Sequence, residues 1–243
     1  MGTKNMPRET LVMIPPMLAD ARSCAQQLQD LSRDHAIMCA PTTCGERMEE
    51  VASQILSWAP GKFALIGMGM GGMVAMEMLR RAADRGTRVA LIGTSPLADT
   101  PEAAAAREDQ IIAARAGRWL DVLQHEINST WMGPGADKVA LVHQLSQMGR
   151  EFGPENYIKQ ARAMQRRKDQ QSTLRKLEQQ VTVICGRHDG QYQLKRHMFL
   201  AELIPNATIE IIDGAGYLPT IEAPEATSDT LRRWMKLPLI LRQ

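Results

Sequence analysis

The chain has 243 residues, 44% of them hydrophobic and 23% charged, with a formal net charge of +2. Such a chain can bury the core of one large globular domain, and its near-neutral balance excludes a strong pull toward nucleic acid or an anionic membrane surface. No apolar run reaches the roughly 18 residues of a membrane-spanning helix, and the opening MGTKNMPRET has neither a signal peptide's apolar core nor a Ser or Thr at position 6 for myristoylation.

In chain order, Leu11-Val12-Met13-Ile14 reads as a buried strand, followed by a helix from Asp20 to Leu31 with Asp20 as its N-cap. Ala36 to Cys39 is a second strand, Glu46 to Trp58 a second helix, Phe63 to Ile66 a third strand, Gly72 to Asp84 a third helix and Val89 to Ile92 a fourth strand. Most of the strand runs are apolar throughout rather than alternating, as in strands covered on both faces of a parallel sheet. The pattern predicts an α/β fold with a mostly parallel central sheet and helices on both faces. The alternation stops at about Thr100. Helical patterns cover Pro101 to Ala116, Arg118 to Asn128, Asp137 to Glu151, Glu155 to Arg166 and Asp169 to Gln180, with no strand between them. They predict a helical cap at 100–178, inserted into a core made of 1–99 and 179–243 and covering the carboxyl edge of the sheet. Strands resume at Val181 to Ile184 and Ile209 to Ile212.

The stretch GMGMGG after the third strand fits two templates. Gly67, Gly69 and Gly72 match G-x-G-x-x-G, the dinucleotide fingerprint. Gly67, Gly69 and Gly71 match G-x-S-x-G, the nucleophile elbow, with glycine in the serine's place. The fingerprint belongs to a first βαβ unit and wants an acid at the end of the next strand. Here two strands precede the motif, and the next strand ends in Gly93-Thr94-Ser95. No dinucleotide, and no other cofactor, is expected. Five methionines crowd the same stretch, Met68, Met70, Met73, Met76 and Met78, and core packing along one helix is their simplest role.

Other segments resemble the α/β-hydrolase superfamily, within it the small esterase-like members with a helical cap. LVMIPPMLADA, Leu11 to Ala21, is similar to the family's oxyanion loop, usually LLLPGxxxDA. LIGMGMGG is similar to its elbow, usually GxSMGG, and VALIGTSP, Val89 to Pro96, to the strand after it. VTVICGRHD, Val181 to Asp189, resembles the strand that carries the acid. IIDGAGYLPTIEAP, Ile211 to Pro224, resembles the segment that carries the base, usually GxGHxxxxExP. The resemblance implies the α/β-hydrolase fold and a Ser-His-Asp triad, and two triad members are replaced. Gly69 stands at the nucleophile, Tyr217 at the base, and Asp189 is kept.

Glycine offers no atom to form an acyl-enzyme, and a phenol with a pKa of about 10 is a poor base at neutral pH. Losing such groups in a serine hydrolase lowers turnover on the order of a millionfold, so ordinary serine-esterase activity is not expected. The oxyanion hole, made of backbone N–H groups, survives side-chain changes. By resemblance its donors are the N–H groups of Met70 and Met17, although Pro16 replaces the usual glycine beside Met17. Met68 and His188 are added as ligand-binding candidates, and two arrangements stay open for Tyr217: its hydroxyl donating to Asp189 in place of the lost Asp–His bond, or a solvent-filled remnant of the pocket. His188 is also an alternative base. Tyr192 and His197 are expected at the local surface, His125 and His143 on cap helices, and Cys185 as a buried thiol. The basic run of Arg162, Arg166, Arg167, Lys168, Arg175 and Lys176 reads as a solvated helix face.

Cys24, Cys39, Cys44 and Cys185 include no CxxC pair, and the five histidines show no HxH or HExxH spacing. Metal is not expected, whereas free thiols in a reducing cytoplasm are. Two functions remain open. One is a pseudoenzyme that binds a small apolar or acyl-like ligand, or a protein partner. The other is an enzyme of altered chemistry, a lyase, decarboxylase, isomerase or cyclase, using the oxyanion hole with Tyr217 and Asp189. A weak hydrolase with another base ranks behind both. Neither nucleic acid nor membrane is expected as a partner, and a homo-oligomer is compatible with the sequence.

Overall fold

The computed structural model describes residues 9–239. The segment MGTKNMPR, with the expectation attached to it, lies outside those residues. Six strands form one parallel sheet in the order β2-β1-β3-β4-β5-β6. They are β1 (Leu11–Ile14), β2 (Ile37–Cys39), β3 (Phe63–Met68), β4 (Gly86–Ile92), β5 (Val181–Gly186) and β6 (Ala207–Ile212). Every residue of β1, β3 and β5 is buried, whereas the edge strands β2 and β6 are largely half-buried.

Alternate strand residues feed two cores, because successive side chains point to opposite faces. Val12, Ile14, Leu65, Val89 and Val183 pack with α2 (Met48–Trp58) and α3 (Met70–Ala82). Leu11, Met13, Ile66, Ala90 and Ile184 pack on the other face, with α1 (Ala25–Leu31) and Leu231 and Trp234 from the C-terminal helix (Pro224–Met235). Each such large apolar side chain contributes roughly 1.5–3 kcal/mol on burial. Met70, Met73, Met76 and Met78 all lie in the first core, in line with the packing role read from the sequence.

Between β4 and β5 the described chain is helical: α4 (Pro101–Arg115), α5 (Trp119–Glu126), a 3-10 turn (Ser129–Trp131), α6 (Lys138–Gln165) and α7 (Gln171–Leu174). Thr100 caps α4 through the Ala103 N–H, and Pro101 sits in its first turn, where a missing N–H is harmless. Gly153 (φ 79°) and Pro154 break α6 into the two helices read from the sequence. The helix expected over Asp169 to Gln180 shrinks to α7. Leu174 and Leu177 turn into the core there, and the chain swings directly into β5. After β5 come α8 (Leu194–Glu202), β6, α9 (Pro219–Glu222) and α10 (Pro224–Met235).

β1 leads outward to β2, and β3 returns to the other side of β1. The order reverses there, and the loops after β1 and β3 diverge to open a crevice at the carboxyl edge of the sheet.

Candidate functional site

The centre of the site is the turn between β3 and α3. Gly69 has φ 52° and ψ −119°, a conformation that side-chain-bearing residues adopt only under strain and glycine adopts freely. Its N–H donates to Ile92 O at 2.9 Å, and its carbonyl accepts the Thr94 hydroxyl at 2.7 Å. Gly71 lets the start of α3 press against the end of β1, since a Cβ there would overlap the Ile14 carbonyl.

The side of Gly69 where a side chain would stand is occupied. An added Cβ would overlap the Tyr217 hydroxyl outright and lie 3.3 Å from Tyr217 Cζ and 3.0 Å from Pro16 Cβ. The Tyr217 phenol thus fills the space that a side chain at position 69 would take. Its ring is set edge-on to Trp131 and Tyr192, with centroids 6.0 and 5.8 Å away. Its backbone N–H donates to Trp131 O at 2.9 Å. Glu222 fixes this loop, accepting the N–H groups of Gly216 (2.7 Å), Leu218 (2.8 Å) and Gly133 (2.7 Å). Burial first, then Tyr192 and Asp189 nearby, hold the Tyr217 phenol well above its usual range. It is therefore a neutral proton donor at ordinary pH.

The candidate bond between Tyr217 and Asp189 is not made. Asp189 Oδ1 accepts the N–H groups of Gln191 (2.8 Å) and Tyr192 (2.7 Å), and Oδ2 pairs with His197 Nε2 at 2.8 Å. Tyr217 carries its hydroxyl over Gly69 instead, and His197 takes the carboxylate. His197 is fully buried, and Tyr192 nearly so, which corrects the expectation of surface positions. His197 reaches Asp189 from α8, eight residues on, and nothing in the local spacing announces that pairing.

A cavity of about 330 Å³ lies above the turn, against the helical segment. Its floor includes Met17, Met70 and Tyr217, and its walls include Trp131, Leu141 and Met164. Among the described residues, neither the Met17 nor the Met70 N–H has an intramolecular partner. The residue after Met17 is Leu18, with φ 59°; its N–H donates at 3.0 Å to Gln160 Oε1 from α6. Gln160 also donates to the Thr42 hydroxyl at 2.6 Å, so a fully buried amide holds this strained loop. His125 and Gln191 line the cavity and are exposed, so it opens to solvent beside them.

The sequence profile of the alpha/beta hydrolase family matches residues 18–230. The chain belongs to that family. Among solved structures, this alpha/beta hydrolase is similar to a thermophilic esterase from Thermogutta terrifontis (22% identity, TM-score 0.84, 95% of this chain and 90% of the other). It is also similar to the enol-lactonase from Burkholderia xenovorans LB400 (19% identity, TM-score 0.82, 97% and 94%). Among curated proteins it is 23% identical over 210 residues to the biotin biosynthesis bifunctional protein BioHC of Teredinibacter turnerae. The match takes in 78% of this chain and 36% of that protein, so the chain spans about a third of that relative's length.

Two ligand-binding candidates fall outside the site of this alpha/beta hydrolase. Met68 ends β3 on the opposite face, buried against α1 and α10, because the strand's alternation turns it from the cavity. His188 is exposed and does not line the cavity. His143 is exposed on α6. Cys185 is buried, and burial pushes its thiol up to about 12, so it is not a nucleophile. Of the basic run, Arg162, Arg166, Arg167 and Lys168 pair with Glu108, Glu46, Asp99 and Glu49. Sequence reasoning missed Arg107, Glu126 and Trp131 in the cavity lining. They come from the helical segment, where no motif marks them. Among the described residues, no group of three or more His, Cys, Asp or Glu is placed to hold a metal, and no helix is long and apolar enough to cross a membrane.

Proposed function

We propose that this alpha/beta hydrolase binds a small apolar, acyl or carbonyl ligand in its cavity and does not turn over esters through an acyl-enzyme. One observation carries the reading: the Tyr217 hydroxyl occupies the space beside Gly69 where a nucleophile would stand. The cavity has the rest of a carbonyl-binding site. It presents the unpartnered N–H groups of Met17 and Met70, the N-terminal end of α3, and apolar walls. The helices between β4 and β5 act as the cap over it. Four cysteines, all free, support a reducing compartment, the cytoplasm.

A second reading has its own support. The Tyr217 hydroxyl accepts and donates no hydrogen bond within the described chain, and it shares the cavity floor with the two N–H groups. If the ligand were a β-keto acid with its carbonyl held by those groups, breaking the C–C bond would release CO2 and leave the electron pair as an enolate; the neutral phenol beside it can protonate the carbon and regain its proton from water. That is non-hydrolytic chemistry, a decarboxylation, and it needs no serine. Asp189 has no direct part in it, because its oxygens are held by His197 and two backbone N–H groups.

Calorimetric titration with p-nitrobutyranilide and 2-hexanone tests the binding reading: both should bind to the wild type. Absence of heat for both would sink it. Tyr217→Phe separates the two readings. It should leave binding in place, and it should abolish any proton-transfer turnover found in the wild type.

A further inference from the structure

Arg107 lies on α4 and lines the cavity. Its Nε donates to Asp99 Oδ2 at 3.1 Å. Neither terminal nitrogen has a hydrogen-bond partner among the described residues. Asp99 is shared: its other oxygen pairs with Arg167 at 2.6 Å, and Arg167 is further held by the carbonyls of Leu97 (2.9 Å) and Met164 (3.0 Å). Two guanidinium groups therefore share one carboxylate, and Arg107, which lines the cavity, is the one whose terminal nitrogens are left open.

The other charged and titratable groups there leave the fork open. Glu126 lines the cavity and its charge acts on Arg107 from a distance, but it takes the Tyr157 hydroxyl at 2.6 Å and makes no ion-pair contact with the guanidinium. Glu222 is held by three backbone N–H groups. His125 is exposed. Arg107 itself is largely buried, its side chain 16% exposed. A largely buried guanidinium with two open N–H-bearing nitrogens is poorly hydrated, and a planar carboxylate meets that fork with two parallel hydrogen bonds. Nearby aliphatic and aromatic walls strengthen such a pair by excluding water.

We propose that the ligand of this cavity carries a carboxylate, which Arg107 binds in bidentate fashion while the ligand's apolar or carbonyl portion lies over Met17, Met70 and Tyr217. This rests on the reading of the cavity as a small-molecule site and narrows it to carboxylic acids. Arg107 and Tyr217 line the same cavity of about 330 Å³, so one small ligand can lie against both.

The test is calorimetric titration with hexanoate and hexanamide, equal in size and differing in charge, beside the 2-hexanone control. The wild type should bind hexanoate at least about tenfold more tightly than hexanamide, the usual margin of a charged over a neutral hydrogen-bonded pair. Arg107→Gln should erase the difference while 2-hexanone still binds. Arg107→Lys, which keeps the charge and loses the fork, should retain part of it, and it serves if the Gln variant fails to fold. Equal binding of acid and amide by the wild type overturns the Arg107 assignment and leaves the cavity reading standing. A preference that survives Arg107→Gln in a folded protein overturns it too, by placing the anion elsewhere. If acid, amide and ketone all fail to bind, the cavity reading falls and this inference falls with it.

Discussion

Gly69 and Tyr217 form a matched pair, and a double-mutant cycle measures the match. Replacing Gly69 by Ala adds a methyl group where φ is 52° and ψ −119°. Holding a side-chain-bearing residue there costs about 1–3 kcal/mol. The methyl also overlaps the Tyr217 hydroxyl and comes within 3.0 Å of Pro16 Cβ. Overpacking of that kind costs about another 1–3 kcal/mol. The total, about 2–6 kcal/mol, corresponds to a melting temperature lower by about 2–4 °C per kcal/mol in a chain of this size. Tyr217→Phe removes the overlapping oxygen and leaves Cζ at a tight but tolerable 3.3 Å. In that background Gly69→Ala should still cost the backbone strain and the 3.0 Å contact with Pro16 Cβ, so the coupling between the two changes is the hydroxyl's share of the overpacking, about 1–2 kcal/mol. Urea denaturation of the four proteins gives the number. If Gly69→Ala costs the same in both backgrounds to within about 0.5 kcal/mol, the Tyr217 hydroxyl is not where a nucleophile would be.

Three further outcomes follow from the same geometry. Glu222→Ala leaves the N–H groups of Gly133, Gly216 and Leu218 without their acceptor; it should cost roughly 2–4 kcal/mol of stability and weaken ligand binding, read by denaturation and calorimetry. His197→Ala removes the partner of a buried carboxylate and should cost about 3–5 kcal/mol by denaturation, whereas His188→Ala at the surface should stay within about 0.5 kcal/mol. All three tyrosines, Tyr157, Tyr192 and Tyr217, have phenols raised above 10, each chiefly by burial. Above pH 10 the unfolded chain releases protons that the folded chain keeps, so this contribution is full below pH 10 and falls as pH rises beyond it. Absorbance at 295 nm should show no tyrosinate in the native protein near pH 10, then three tyrosines together on alkaline unfolding; stepwise ionisation of a folded protein would contradict the burial argument.

The scaffold was readable because its strands have a local signature. Leu11 to Ile14 and Phe63 to Ile66 are apolar without alternation, which only a strand covered on both faces tolerates. The break in that rhythm after β4 marked the helical segment, and Gly153-Pro154 marked the kink inside it. Gly69 was legible as the centre of a strand–turn–helix motif, but what lies over it was not. That Tyr217 fills the space over Gly69 depends on a ring carried in from the loop after β6, far away in sequence. The Asp189–His197 pair was hidden for a related reason. Helix periodicity says that α8 has a buried face, and it does not say that His197 on that face meets a carboxylate. Arg107 sits in PEAAAAREDQ, a stretch that reads as a charged surface helix, and only tertiary packing turns that residue toward the cavity.

The central claim is that the wild-type protein has no acyl-forming nucleophile. The direct measurement is hydrolysis of short-chain nitrophenyl esters by the wild type and by Gly69→Ser/Tyr217→His, side by side. The account predicts the buffer rate for the wild type. It predicts measurable turnover for the double variant, held below that of a complete triad because Asp189 remains paired with His197. Wild-type hydrolysis well above buffer, lost on mutation of His125 in the cavity lining, would contradict the account and reveal a nucleophile that the Gly69–Tyr217 geometry does not provide.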